Sequence, residues 1–189
     1  MRELVQSAAS GNTLAFHQLA DHYQVAVFRL IYHRVRSQLD AEDLTQDVFL
    51  KAYRNLHKLK APDRFRNWLF SIALNRVRDF IRQQKLRRLF GLLADDSPET
   101  DREPMDPDAP DGFEQAGKRQ FWETVTSMLA ILSATEREVF ILRFLDQLAI
   151  AEIAAVLQKS ESTIKTHLYR AMAKFKAHPA SAMLTEVLP

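Results

Sequence analysis

An acidic, proline-rich stretch at the middle of this sequence limits what the chain can fold into. Residues 95–114 read DDSPETDREPMDPDAPDGFE and contain nine acidic residues, one basic residue and four of the seven prolines. Proline removes backbone hydrogen-bond donors and breaks helices, and like charges repel one another. We therefore predict a flexible acidic linker over residues 91–117. It would separate a first domain over 1–90 from a second over 118–178, with a tail over 179–189.

Charge is divided unevenly between this linker and the rest of the chain. The whole sequence has 26 basic and 24 acidic residues, a net charge of +2. Without residues 95–114 there are 25 basic and 15 acidic residues, a net charge of +10. A basic chain with an acidic linker indicates a polyanionic partner, usually nucleic acid. An ordinary solvated surface with a charged linker is the alternative.

The apolar residues recur with the period of helices on both sides of the linker. Four glycines are too few for the many turns of an all-β fold, and no strand pattern competes. We predict helices over about 40–57, 66–89, 134–145 and 150–157, and a last one capped by Ser160. An earlier helix follows the Gly11-Asn12 stop and cap, with its core stripe at Phe16, Leu19, Tyr23, Val27, Leu30 and Ile31. The fold class is therefore all-α, with two small helical domains.

The usual signatures of enzymes are missing from the sequence. There is no cysteine, no glycine-rich phosphate loop, no GxSxG and no HExxH, and the six histidines are scattered. We therefore expect no enzymatic activity, no cofactor and no metal site. No run of about 18 apolar residues is present, so we expect no membrane insertion and a cytoplasmic protein.

The last two predicted helices have the pattern of a helix-turn-helix. A short apolar helix and a turn at Gln158-Lys159 precede a longer basic helix whose core stripe includes Ile164, Leu168 and Phe175. Lys and Arg bind phosphates or guanine edges, and Thr and Tyr add hydroxyl and apolar contacts. The opposite face of the helix carries the candidate DNA-contacting residues, which are Lys165, Thr166, Tyr169 and Arg170. An ordinary helical hairpin with a solvated basic face is the alternative.

A second basic segment covers residues 60–88, which contain nine basic residues against Asp63 and Asp79. Basic residues beside aromatic ones suit single-stranded or melting nucleic acid, because unstacked bases need flat apolar partners. Helical spacing places five polar or basic residues on one face of the predicted helix: Ser71, Asn75, Arg78, Arg82 and Lys85. Phe65 and Trp68 lie at the start of that helix. A solvated surface, with Trp68 in the core, is the alternative.

An acidic patch is predicted on the helix that precedes this basic segment. Asp43, Gln46 and Asp47 are three and four residues apart, so they share an exposed face that could dock a basic partner. The helix dipole alone accounts for Asp40 and Glu42 in the first turn.

Together, four segments resemble the extracytoplasmic-function sigma factors, the compact two-domain class of bacterial transcription initiation factors. They are DAEDLTQDVFLKAYRNL at 40–56, FRNWLFSIALNRVRDFIR at 65–82, LSATEREVFILRFLDQLAIAEIAAVL at 132–157 and STIKTHLYRAMAKFK at 162–176. Their order and spacing fit that family over nearly the whole chain apart from the linker and the tail.

The resemblance implies a role for each surface. The first domain would be sigma region 2, with Asp43, Gln46 and Asp47 binding the clamp helices of the polymerase β′ subunit. The second would be region 4, which contacts the β flap and reads the minus-thirty-five element through Lys165, Thr166, Tyr169 and Arg170. Minus-ten recognition and melting would fall to Leu59, Lys60, Arg64, Phe65, Arg66, Asn75, Arg78 and Arg82.

The same resemblance implies partners and regulation. Core RNA polymerase and promoter DNA would be the partners, and an anti-sigma factor would hold the protein inactive until an extracytoplasmic stress or signal. The acidic linker would run through the polymerase near the RNA exit path, where its charge resembles nascent RNA.

Three positions depart from the family pattern, and two other classes of protein compete with it. Leu59 stands where an aromatic residue is common, His167 where Arg is common, and Gln158 where Gly is common. A stand-alone helix-turn-helix regulator would need a ligand pocket or dimer stripe in residues 1–90. A helical scaffold or metal-dependent enzyme would need carboxylates and histidines clustered on facing helices.

Overall fold

The structure is a computed structural model that describes residues 1–89, 127 and 129–177, and none of these residues forms a strand. The chain divides into two compact units, within residues 1–102 and 103–189. The all-α prediction is confirmed. The predicted linker over 91–117 and tail over 179–189 lie outside the described residues.

Four helices build the first unit. They are α1 (Arg2–Ala9), α2 (Thr13–Val35), α3 (Gln38–Asn55) and α4 (Phe65–Leu89), with short 3₁₀ turns at Leu56–Lys58 and Pro62–Arg64. Gly11 has φ +97° and turns the chain between α1 and α2. Asn12 then caps α2, where its side chain accepts a hydrogen bond from the Ala15 amide at 3.1 Å. The stop and cap predicted at Gly11-Asn12 are therefore confirmed.

The start of α3 is two residues earlier than the sequence indicates. Ser37 is the N-cap, and its hydroxyl accepts from the Asp40 amide at 3.3 Å. A serine side chain satisfies one of the unpaired amides at a helix start. The acidic cluster from Asp40 onward is the stronger local signal, so the sequence predicts a start at about residue 40.

The core of the first unit lies between α2, α3 and α4. All six stripe residues predicted on α2 are buried, and so are Leu44, Val48 and Ala52 on α3. On α4, Leu69, Ile72, Ala73 and Val77 are buried, whereas Phe80 and Ile81, which continue the same helical period, are only half-buried. No residue from 78 to 87 is buried, so the core contact of α4 ends at Val77.

Three helices of the second unit lie entirely within the described residues. They are α5 (Ala134–Phe140), α6 (Ile150–Leu157) and α7 (Glu161–Ala177), and α5 continues as a π-helical turn over Ile141–Leu145. Rings of Phe140 on α5 and Phe175 on α7 stack with centroids 4.3 Å apart. The core cluster of this unit contains Leu129, Leu132, Phe140, Ile141, Ala171 and Phe175.

Glu136 is the buried charge that ties α5 to α7. It completes a capping box with Ser133: its Oε2 accepts from the Ser133 amide at 2.9 Å, and its own amide donates to Ser133 Oγ at 3.3 Å. The same Oε2 lies 2.6 Å from Nζ of Lys174 on α7. Hydrogen bonds from Lys174 and then from the Ser133 amide lower the pKa of Glu136 from 4.5 to about 2.

This pKa shift predicts acid sensitivity of the second unit. A carboxyl whose folded pKa is lowered stabilises the fold above its unfolded pKa, and that stability is lost as the pH falls through the folded value. The wild-type protein should therefore be more stable than Glu136→Gln at neutral pH, and the difference should shrink between pH 4.5 and 2. Urea unfolding followed by circular dichroism measures it.

Lys176→Met is the matched control for this experiment, because Lys176 is an exposed neighbour of Lys174 on the same helix. It should show the wild-type pH dependence, whereas Lys174→Met should resemble Glu136→Gln. If the difference in free energy of unfolding between wild type and Glu136→Gln stays constant down to pH 2, the ion pair does not explain it.

Candidate functional site

The exposed face of α7 carries the four residues predicted to read DNA. Lys165, Thr166, Tyr169 and Arg170 are all exposed, and Tyr169 reaches 74% exposure. The opposite side of α7 packs into the core through residues such as Ile164 and Phe175. The helix therefore presents two cations, a hydroxyl and an aromatic ring together, which suits the edge of a nucleic acid groove.

The turn before α7 uses glutamine in a backbone conformation that favours glycine. Gln158 ends α6 with φ +54°, in the left-handed region. The Lys159 amide then donates to the Ala154 carbonyl at 3.0 Å, and Ser160 Oγ accepts from the Thr163 amide at 3.2 Å. The predicted cap at Ser160 is confirmed, and Gln158 makes the turn despite its side chain.

The left-handed backbone at Gln158 predicts how substitutions at this position change the free energy of unfolding. A side chain there costs about 1–2 kcal/mol, most of all when it is β-branched. Gln158→Val should therefore lower the free energy of unfolding, whereas Gln158→Gly should leave it within about 1 kcal/mol of wild type or raise it. Gln83→Val, at an exposed position in α4, is the control and should cost less than Gln158→Val. Equal losses in the two valine variants, measured by urea unfolding, would exclude backbone strain at Gln158.

The predicted minus-ten residues of the first unit fall into two groups. Lys60 and Arg64 are exposed in the segment before α4, where Leu59 is half-buried, and Arg66 is half-buried in the first turn of α4. On α4 itself, Asn75, Arg78 and Arg82 are exposed. The Arg78 guanidinium donates to Asn75 Oδ1 at 3.2 Å, and Arg82 pairs with Asp79 at 3.0 Å.

Phe65 is the exception, and its prediction as a DNA-contacting residue needs correction. It is 2% exposed, and its ring packs against Tyr23 and Trp68 with centroids 5.5 and 5.9 Å away. A ring buried in this way supports the start of α4 and cannot stack on a base. Trp68 is half-buried and is therefore more exposed to solvent than Phe65.

At the end of α4, an open concavity brings predicted minus-ten residues together with aliphatic side chains. Arg78, Arg82 and Lys85 line it together with Ile81 and Leu86, which is 46% exposed. Ile81 continues the apolar period of α4, and by spacing alone it would belong to the core. The period continues past Val77, but the packing partners do not.

The acidic face of α3 is exposed as predicted, but one of its carboxylates is already engaged. Asp43, Gln46 and Asp47 all lie on the surface. Asp47 Oδ2 accepts hydrogen bonds from Nη2 and Nε of Arg76, on α4, at 2.6 and 3.0 Å. Arg76 was absent from the predicted site, because no sequence pattern signals a contact across 29 residues.

Metal ligands do not cluster in the described part of the chain. Within residues 1–89 and 129–177, no group of three or more His, Cys, Asp or Glu side chains could hold a metal ion. In the same described part of the chain, no helix has the length and apolarity needed to cross a membrane.

Comparison with known proteins identifies both units. The family described as Sigma-70 region 2 matches residues 19–87, and the family described as Sigma-70, region 4 matches residues 122–175. The RNA polymerase sigma factor CnrH of Cupriavidus metallidurans is 35% identical over 93% of this chain and 92% of its own length. The ECF RNA polymerase sigma factor BldN of Streptomyces coelicolor is 36% identical over 91% of this chain, which spans 63% of the length of BldN.

A solved structure agrees with these matches. CnrH in complex with the cytosolic domain of CnrY superposes with a TM-score of 0.66 and 31% identity, covering 98% of this chain and 97% of that one. The chain belongs to the extracytoplasmic-function family of sigma factors, which are transcription initiation factors.

Proposed function

We propose that this protein binds core RNA polymerase and directs it to specific promoters. The observation that carries the proposal is the exposed α7 face, where Lys165, Thr166, Tyr169 and Arg170 project from a helix-turn-helix that matches sigma region 4. The protein itself supplies recognition and strand separation, and the polymerase supplies the chemistry, so we assign it no enzymatic step. It acts where polymerase and promoter meet, in the bacterial cytoplasm.

The first unit would act as region 2, over residues 1–90, and the second as region 4, over 118–178. Within region 2, the acidic face of α3 would bind the β′ clamp helices, and region 4 would also contact the β flap. The acidic charge of residues 91–117 would suit a path through a basic polymerase channel, because like charge mimics the RNA that the channel holds.

Minus-ten recognition would use the exposed residues at the start and along one side of α4. Lys60 and Arg64 lie in the loop, and Asn75, Arg78 and Arg82 follow on the helix. Leu59 and Arg66 would contribute at the edge of the loop, and Phe65 would hold the loop in place from the core. Cationic side chains bind the phosphate backbone, and Asn75 is suited to a base edge.

An anti-sigma factor would control this activity in response to an extracytoplasmic signal. The support is the solved complex of CnrH with the cytosolic domain of CnrY, since that CnrH chain is 31% identical to this one over nearly its full length. Such a partner would have to cover the polymerase-binding or DNA-binding faces to keep the protein inactive.

Asp43→Arg tests the polymerase face. Asp43 is the cleaner position to change, because reversing Asp47 would also place two cations beside each other at Arg76. The variant should fold, and its affinity for core polymerase should fall by about tenfold or more, because like charges across an interface cost several kcal/mol. A core-binding titration by fluorescence anisotropy measures it. Asp21→Arg, the same exchange on an exposed position of α2, should bind normally.

Lys165→Ala with Arg170→Ala tests the DNA face of region 4. Losing one base contact costs about 1–3 kcal/mol, so transcription from promoters that depend on the minus-thirty-five element should fall by at least roughly tenfold. Core binding should be unchanged, and Lys176→Ala should transcribe normally. Wild-type run-off transcription by the double variant would refute this assignment, and tight promoter binding by the free protein would favour a stand-alone regulator.

A further inference from the structure

Arg76 connects the two helices of region 2 that carry its proposed interfaces. Its guanidinium, on α4, donates through both Nε and Nη2 to a single carboxylate oxygen of Asp47, on α3. The Arg76 side chain is 29% exposed and that of Asp47 is 46% exposed, so the contact is partly shielded from water. Partial shielding strengthens a charge-assisted hydrogen bond relative to one in open solvent.

The location of the Asp47–Arg76 ion pair says more about its role than its strength does. Asp47 is one turn after Asp43 on the face proposed to bind polymerase, and Arg76 directly follows Asn75 on the helix proposed to read the minus-ten strand. The ion pair therefore joins the two helices that carry the two proposed surfaces.

Apolar packing and the ion pair both hold α3 against α4. Val48 on α3 and Val77 on α4 are buried, and interdigitated side chains set the spacing of packed helices. A charge-assisted hydrogen bond is directional, so the Asp47–Arg76 pair favours one rotation and translation of α4 on α3 among those that the packing allows.

We propose that Arg76 is a positioning residue, which acts through Asp47 to fix the register of α4 against the polymerase-bound α3. Docking of α3 on the polymerase then presents Asn75, Arg78 and Arg82 to the minus-ten strand in one orientation. Arg76 itself contacts neither DNA nor polymerase in this account. The inference rests on the proposed function, because it assumes that α3 binds polymerase and α4 binds DNA.

The first test removes the ion pair without changing Asp47. Arg76→Gln should keep its core affinity within about twofold, while opening of the minus-ten element falls about fivefold, the scale of a partly shielded ion pair. A 2-aminopurine base in the non-template strand reports opening at saturating core polymerase. Arg76→Lys, which keeps a charged donor, should stay close to wild type. Arg29→Gln, on an exposed part of α2, is the matched control and should open normally.

The second test separates positioning from direct contact with DNA. Asp47→Arg should impair opening, because it places two cations together. Asp47→Arg also reverses a charge on the face proposed to bind polymerase, so both variants are compared at core concentrations that saturate each of them. Adding Arg76→Asp restores an ion pair of reversed polarity, so the double variant should then open better than Asp47→Arg although position 76 is acidic. Direct contact between Arg76 and DNA predicts the reverse, with the double variant the more impaired of the two.

Three results would overturn the proposal. They are wild-type opening by Arg76→Gln, failure of Arg76→Lys to exceed Arg76→Gln, and a double variant that opens less well than Asp47→Arg. Circular dichroism of each variant checks folding, and a loss of thermal stability in Arg76→Gln without a loss of opening would show that the pair is only structural. Failure of the proposed function is seen separately, as normal core affinity in Asp43→Arg.

Discussion

A helix that buries one stripe of side chains must present the opposite stripe to solvent, and this constraint places the interfaces proposed on α3 and α7. On α7, burial of Ile164, Ala171 and Phe175 leaves Lys165, Thr166, Tyr169 and Arg170 outside. On α3, burial of Leu44 and Val48 leaves Asp43, Gln46 and Asp47 outside. The functional surfaces are therefore consequences of core packing, and they stay intact only while the cores do.

The same constraint explains how much the sequence could predict. The helical period gave the elements, the buried stripes and the exposed faces of α3 and α7, because these depend on spacing along one helix. Caps at Asn12, Ser133 and Ser160 were also readable, since each is a local hydrogen bond within three residues. Resemblance to a known family then supplied the functions of the faces, which periodicity cannot give.

What the sequence could not show depends on contacts between elements. Phe65 looked like an accessible ring because aromatic residues beside basic ones suit nucleic acid, yet the Tyr23 ring on α2 lies 5.5 Å from it in the core. The Asp47–Arg76 and Glu136–Lys174 pairs join different helices, across 29 and 38 residues. The π-helical turn at Ile141–Leu145 inserts an irregularity that a regular period does not reveal.

The unsupported end of α4 has a further consequence for the way the protein responds to ionic conditions. Residues 78–87 extend over about 15 Å of helix with no buried side chain, and four of them are basic. Cations repeated at helical spacing repel one another, and a helix this short is marginal without tertiary contacts. Counterions or nucleic acid phosphates relieve that repulsion. The helical content of this segment should therefore rise with salt. Salt would then have two opposing effects: it screens the attraction of the segment to a polyanion, and it stabilises the helix that would bind that polyanion.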